Sequence, residues 1–228
     1  MMKQVLRSIV LLFVLFLPTT LFADQRFIVD YFKNFQTLEA NFTQEIITKD
    51  REDTTSGTLI IDKGSVEGIS TDSAKGSVKQ GNKGVQNPKF LFDYTKPYHQ
   101  TLVSNGVKFW FYDVDLMQVI IKPIDEVINN PVLQILLSNQ LLSDNFDIKT
   151  VRDRREYLLT PKIANSDMEI TDIQVIFANR KIYSFKVQDV TGQTVSFVVK
   201  RVVENSEVDS SLFDFKIPAD VDVIDETK

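Results

Sequence analysis

Few residues in this chain have types and spacings that could do covalent chemistry. The one histidine, His99, stands in Tyr98-His99-Gln100 within a segment that reads as a strand. A lone histidine without a paired nucleophile or carboxylate reads more readily as a strand-edge or hydrogen-bonded residue than as a general base. Asp113 and Asp115 lie two apart after a strand, which suits a turn; a calcium loop would need more oxygen ligands and a shaping glycine. Asp172 and Asp189 read as isolated turn-side carboxylates, and Arg152-Asp153-Arg154-Arg155-Glu156 as a solvated hairpin tip. Cysteine is absent, which excludes a disulfide framework, a thiolate metal site and a cysteine nucleophile. No Gly-x-Ser-x-Gly elbow occurs. Lys75-Gly76-Ser77 has the wrong order for a phosphate loop. The net charge of −5 argues against a protein that tracks nucleic-acid phosphates. The reading is therefore a protein that is not an enzyme and needs no cofactor or metal.

What the chain has in excess is apolar rings. Seventeen of its 228 residues are phenylalanine. Phe90, Phe92 and Tyr94 fall at i, i+2 and i+4, on one face of a strand. Phe109 and Phe111 point to one face of another strand, and Trp110 and Tyr112 to the other. Rings on both faces fit two arrangements. One is an ordinary packed core; the other is a wide curved sheet whose inner face lines a cavity suited to acyl chains.

The elements that must position these rings follow from periodicity. Phe27, Ile28, Tyr31, Phe32 and Phe35 keep helical spacing, after which Leu38, Ala40, Phe42 and Ile46 alternate as in a strand. Residues 57–62, 90–94, 98–104, 107–112 and 116–122 read as further strands, with Asp50 to Thr55 as a polar turn. Asn105-Gly106 reads as a two-residue type I′ turn. Lys63 to Asn87 holds Gly64, Gly68, Gly76, Gly81 and Gly84 and no aromatic residue, and reads as a long loop or a weak hairpin. Asn130-Pro131 supplies an N-cap and a first-position proline for a helix running to Leu142. Val132, Leu133, Leu136, Leu137, Leu141 and Leu142 make it apolar almost all round, as suits a lid over a cavity mouth, with Leu133, Leu136 and Leu137 facing inward. Five more strands follow, near 146–151, 157–161, 169–177, 181–189 and 194–202, and an extended tail closes on acidic residues. The sum is a mainly β chain of about eleven antiparallel strands, in a barrel or an incomplete, unclosed half-barrel, with an α-helical lid.

The first 23 residues read as an export signal. Lys3 and Arg7 precede the apolar run Ile9 to Leu17, and Leu21-Phe22-Ala23 is a cleavage site with an atypical leucine. The run is too short to span a bilayer. Cleavage after Ala23 leaves a single domain, 24–228, free of membrane anchors.

With these elements placed, the chain resembles the periplasmic outer-membrane lipoprotein carrier family, LolA. The resemblance rests on Leu38-Glu39-Ala40-Asn41-Phe42-Thr43-Gln44, Phe92-Asp93-Tyr94 and the run Leu102 to Tyr112. It continues through Asn130-Pro131 with its leucine-rich helix, Leu158-Leu159-Thr160-Pro161-Lys162 and Phe213-Asp214-Phe215-Lys216-Ile217-Pro218. It implies an unclosed barrel under helices whose cavity holds the acyl chains of lipoproteins, with Phe90, Phe92, Tyr94, Phe109 and Phe111 as the lining. It implies a monomer in the periplasm. It also implies three partners: acylated lipoproteins, an ATP-driven inner-membrane exporter, and an outer-membrane receptor. The alternative on the same architecture is a periplasmic lipid or lipoprotein sensor in an envelope stress response; such sensors carry a second C-terminal domain. One departure stands out. The family's Arg-Pro pair, which latches the lid, is here Asn87-Pro88. Lys83 or Lys89 is then the nearest replacement, and an ammonium cannot reproduce a planar multi-donor contact.

Overall fold

A computed structural model describes residues 23–64, 88–127, 131–137, 142–162 and 170–227. The expected export signal up to residue 22, most of the glycine-rich segment, Asn87 and the N-cap Asn130 lie outside these residues.

An initial helix, α1 (Ala23–Asn34), leads into β1 (Thr37–Ile47) and β2 (Glu52–Asp62). Four strands follow: β3 (Lys89–Lys96), β4 (Gln100–Ser104), β5 (Lys108–Asp113) and β6 (Gln118–Pro123). Three short helices come next, α2 (Ile124–Val127), α3 (Pro131–Leu137) and α4 (Leu142–Asn145). The chain then returns to strands β7 (Phe146–Arg152), β8 (Glu156–Pro161), β9 (Ile170–Ala178), β10 (Lys181–Asp189) and β11 (Thr194–Glu204), and ends in a 3₁₀ turn (Ser210–Phe213) and β12 (Asp222–Asp225). All twelve strands form one sheet in the order β12-β6-β5-β4-β3-β2-β1-β11-β10-β9-β8-β7, with β12 and β7 as its free edges. Every pairing is antiparallel except that of β12, which runs parallel to β6. The expected unclosed antiparallel sheet is thus present, with one strand more than the eleven expected. The extra strand is the tail Asp222–Asp225, whose alternating Val221, Val223 and acidic residues read as a simple acidic ending.

Two further expectations need correction. The β4–β5 connection is not a type I′ turn. Only Gly106 has a positive φ, of 87°. The Asn105 carboxamide oxygen instead accepts from the amides of Val107 (2.9 Å) and Lys108 (3.0 Å), so the side chain itself closes a longer loop. The tight two-residue turn lies at Asn179-Arg180, between β9 and β10, where both residues have positive φ (51° and 65°). Second, β2 begins at Glu52, inside the stretch read as a polar turn, because Glu52 to Thr55 pair with Ile47 to Gln44 of β1. Pairing along the backbone overrides the low strand propensity of such polar residues.

The register of the sheet is interrupted between Glu39 and Asn41, between Ser56 and Gly57, between Thr150 and Arg152, between Ile182 and Ser184, and between Gln188 and Asp189. Such bulges raise the local twist and curl a wide sheet without closing it. The concave face carries the larger core. There α1 buries Ile28 and Phe32, with Phe35 just past its last residue, and each contributes about 2 kcal/mol by leaving water. Phe177 anchors the helix: Phe27 lies edge-on at 5.0 Å and Tyr31 at 4.8 Å. The Tyr31 hydroxyl donates to Glu204 and accepts from the Ile182 amide at 3.1 Å, tying α1 to β10 and β11. The convex face carries a smaller core of Val103, Trp110, Val119 and Ile121 under the C-terminal tail, with Phe215 6.1 Å from Trp110 and 5.9 Å from Tyr112. The tail therefore accounts for the second aromatic face of β5.

At the C-terminal end of α1, Lys63 is fully buried. Its ammonium donates to the Phe32 carbonyl at 2.6 Å and sits 4.0 Å over the Phe35 ring. A helix C-terminus and a ring face both favour the cation. Burial nonetheless lowers its pKa to about 8. In the unfolded chain Lys63 keeps the ordinary value near 10.5, so between those two values the unfolded state holds a proton that the folded state has lost. Stability must then rise with pH above about 8, by about 2 kcal/mol at pH 9.5. Above pH 10 the trend reverses, because burial keeps Tyr31 and Tyr94 protonated in the folded state after they ionise in the unfolded one. Urea denaturation at pH 7.5 and 9.5 checks this, with Lys63→Met expected to flatten the rise. An equally large rise in the variant would assign it to other groups.

Candidate functional site

A cavity of about 280 Å³ lies between the concave face and the short helices. Phe90, Phe92 and Tyr94 line it from β3, Leu102 from β4, and Phe109 from β5. Leu38 and Gln44 enter from β1, Leu59 from β2, and Val195, Phe197 and Val199 from β11. From β10 come Ile182, Phe185, Val187 and Asp189, with Ile170 from β9. The helices contribute Val127 from α2 and Leu133 and Leu136 from α3. Alternation explains the convergence, since in each strand every second side chain faces the concavity and that set is apolar.

The rings form a connected wall. Phe90 and Phe92 are 5.9 Å apart at 76°, and Phe109 is 6.0 Å from Phe90. Phe42 stands behind, 6.1 Å from Phe92, 5.6 Å from Phe197 and 4.9 Å edge-on to Tyr94. The close Phe42–Tyr94 contact depends on Gly57, which pairs with both residues in the strands between them. A side-chain carbon at position 57 would fall 1.9 Å from the Asp93 carbonyl oxygen. Tyr94 turns its hydroxyl to the Gln44 carboxamide oxygen at 2.8 Å, and its burial pushes its pKa up to about 12.

Of the residues singled out in the sequence, Phe90, Phe92, Tyr94, Phe109, Leu133 and Leu136 border the cavity. Phe111 packs against the same core without bordering it, and Leu137 is buried in that core. Of the helix expected over 130–142, the described parts are α3, Pro131–Leu137, and the first residue of α4, Leu142. Residues 138–141 lie outside the described residues. In the expected latch, Asn87 also lies outside them and Pro88 is half-buried ahead of β3, away from the cavity lining. The Lys89 ammonium, the other expected replacement, lies 6.0 Å over Phe213 of the C-terminal tail. Lys83 lies outside the described residues.

Sequence reasoning misses the polar lining. Gln44, Asp189 and Gln193 all border the cavity. A signal for Gln44 is present, since it continues the inward register Leu38, Ala40, Phe42. Asp189, by sequence an isolated carboxylate of a turn, does organise the β10–β11 turn. It accepts from the Thr191 amide (2.9 Å), the Thr191 hydroxyl (2.7 Å) and the Gln193 amide (2.9 Å).

The other polar residues singled out serve local structure. His99 is exposed and its amide donates to Asp115 at 3.3 Å. Asp113 accepts from Gln100 at 2.8 Å and from the Leu116 amide at 3.0 Å, and Asp172 from Thr160 at 3.1 Å. Among the described residues no group of three or more His, Cys, Asp or Glu could hold a metal, and no helix is long and apolar enough to cross a membrane. The arrangement can desolvate apolar chains; it offers no nucleophile–base pair.

Comparison with known proteins agrees with this geometry. Residues 65–216 match the family model of the outer membrane lipoprotein carrier protein LolA. The outer-membrane lipoprotein carrier protein of Francisella philomiragia is 33% identical over 205 residues, 88% of each chain. That of Chromohalobacter salexigens is 32% identical over 151 residues, 64% of this chain and 71% of its own. Among solved structures, a conserved protein from Thermus thermophilus superposes with a TM-score of 0.50 at 12% identity, over 90% of this chain and 99% of that one.

Proposed function

This chain belongs to the outer membrane lipoprotein carrier family, LolA, and from that premise we propose that it is a periplasmic chaperone that takes up the acyl chains of lipoproteins in the cavity under α3. It receives them from an ATP-driven exporter of the inner membrane and delivers them to the outer membrane. It acts as a monomer, and residues 1–23 are removed on export.

One observation carries the reading: a partly open cavity whose wall is almost wholly apolar, in a protein that displays no catalytic set among the described residues. Each methylene withdrawn from water contributes about 0.8 kcal/mol. Three long chains in water are therefore prohibitive, and a carrier must supply apolar surface for all of them. It must also release them. Rings from the rigid sheet supply the surface, and a short helix whose leucines border the cavity supplies the release. Leu133 and Leu136 border the cavity, Ile135, Leu136 and Leu137 are buried, and the helix carries no charged residue. Acyl chains entering between α3 and the sheet take over those contacts and free the helix to lift.

Hydrogen exchange on the empty protein and on the protein loaded with a triacylated lipopeptide tests this. Amides of residues 132–137 are expected to exchange at least tenfold faster in the loaded state, while those of β1 and β11 stay protected. Equal, strong protection of 132–137 in both states would make α3 a fixed part of the core and remove the gating.

A further inference from the structure

Gln44, Asp189 and Gln193 give the cavity polar groups on the side of the β10–β11 turn. Register places Gln44 of β1 opposite Phe197 of β11, and Gln193 lies in the turn just before that strand, four residues earlier. Asp189 closes β10 directly across the turn. The Gln44 carboxamide is oriented, because its oxygen accepts from Tyr94 at 2.8 Å. That leaves its NH₂ with no hydrogen-bond partner among the described residues, and the Gln193 side chain likewise has none. Asp189 commits one oxygen, Oδ1, to Thr191 and Gln193. The hydroxyl of Thr191, above all, holds this carboxyl below the usual range, so it is ionised at neutral pH. No lysine, arginine or histidine lines the cavity among the described residues.

We infer that this end of the cavity is a specificity site: Gln44 and Gln193 donate to the neutral ester or amide carbonyls that join acyl chains to their carrier molecule, and Asp189 turns away lipids that carry an anionic phosphate or carboxylate beside those carbonyls. The inference rests on the carrier reading above and adds to it the means of choosing among lipids. A purely apolar cavity cannot choose, because one saturated chain resembles another. A neutral carbonyl at the end of the chain meets two side-chain donors. A phosphate there meets a fixed negative charge and no cation to offset it. Diacyl membrane phospholipids carry the same ester carbonyls, so what sets them apart at this end is the phosphate beyond them.

Binding of three ligands to the mature protein tests this: a dipalmitoylglyceryl-cysteine peptide amide, its dialkyl ether counterpart, and dipalmitoylphosphatidate. The wild-type protein is expected to prefer the ester to the ether about tenfold, the yield of two neutral hydrogen bonds, and to prefer it to phosphatidate by at least as much. In Gln44→Leu/Gln193→Leu the ratio of ester to ether affinity falls to about one. In Asp189→Asn, which keeps the Oδ1 acceptor of the turn, affinity for phosphatidate rises about tenfold. Equal wild-type affinity for ester and ether overturns the inference and leaves the carrier reading standing, as does unchanged rejection of phosphatidate by Asp189→Asn. Failure to bind any of the three overturns both.

Discussion

Replacing Gly57 with alanine is expected to cost about 3 kcal/mol or more of stability, the largest effect of any single methyl group added to this sheet. The added carbon would sit 1.9 Å from the Asp93 carbonyl oxygen and within 3 Å of the Tyr94 backbone. Both neighbours are backbone atoms of β3, so no side chain can rotate away. Relief requires β2 and β3 to part at the place where their register already shifts, and the Phe42–Tyr94 contact and the Tyr94–Gln44 hydrogen bond would part with them. A cost of this size belongs to the steep tail of point substitutions, where strain cannot be relieved locally. Gly192 is the control. It has a φ of +86° but open space around it, so Gly192→Ala carries only the conformational cost of about 1 kcal/mol. Urea midpoints for the two variants decide the matter; similar midpoints would mean that β2 and β3 do not approach this tightly.

Phe92→Glu is expected to lower affinity for a triacylated lipopeptide by about 100-fold or more. Phe92 is 6% exposed and forms the centre of the ring wall, between Phe90 and Phe42. A carboxylate there stays hydrated while the cavity is empty, and must be stripped of water when acyl chains enter. Removing one unpaired charge from water costs several kcal/mol, and each 1.4 kcal/mol is a factor of ten. No cation lines the cavity among the described residues to pair with it. Phe92→Leu keeps the apolar surface and separates the loss of a ring from the gain of a charge; its expected loss is below tenfold. Titration with the lipopeptide measures both, with circular dichroism to establish that each variant is folded. Unchanged affinity in a folded Phe92→Glu protein would take the acyl chains away from this wall.

Some of this was legible in the sequence because it is local. The α1 stripe of Ile28 and Phe32 needs only the helical period, and the alternation of Phe90, Phe92 and Tyr94 needs only the period of a strand. The strand from Lys181 to Asp189 has the bounds its pattern suggested. Other features depend on partners far along the chain. The two faces of β5 look alike in sequence, and the separate destinations of Phe109 and Trp110 follow only from α3 on one side and Phe215 on the other. Likewise the paired stretch Glu52 to Thr55 owes its strand conformation to β1.

By itself, then, the sequence determined the protein's class. Without cysteine, and with a single histidine, it excluded the commonest catalytic and metal chemistry, and its repeated alternation required a large antiparallel sheet with an apolar face. Family resemblance, carried by short motifs in order, pointed to lipoprotein transport. Tertiary structure decided what the apolar face does. Whether a row of phenylalanines fills a core or lines a cavity depends on how the sheet curls, and among the described residues its register is interrupted at five places while a glycine at 57 lets two backbones meet. The polar end of the cavity was decided there too. Gln44, Asp189 and Gln193 are separated by up to 149 positions in the chain, and only the β1–β11 and β10–β11 pairings bring them together. Periodicity records which face a residue takes, while the company it keeps on that face is a property of the folded sheet.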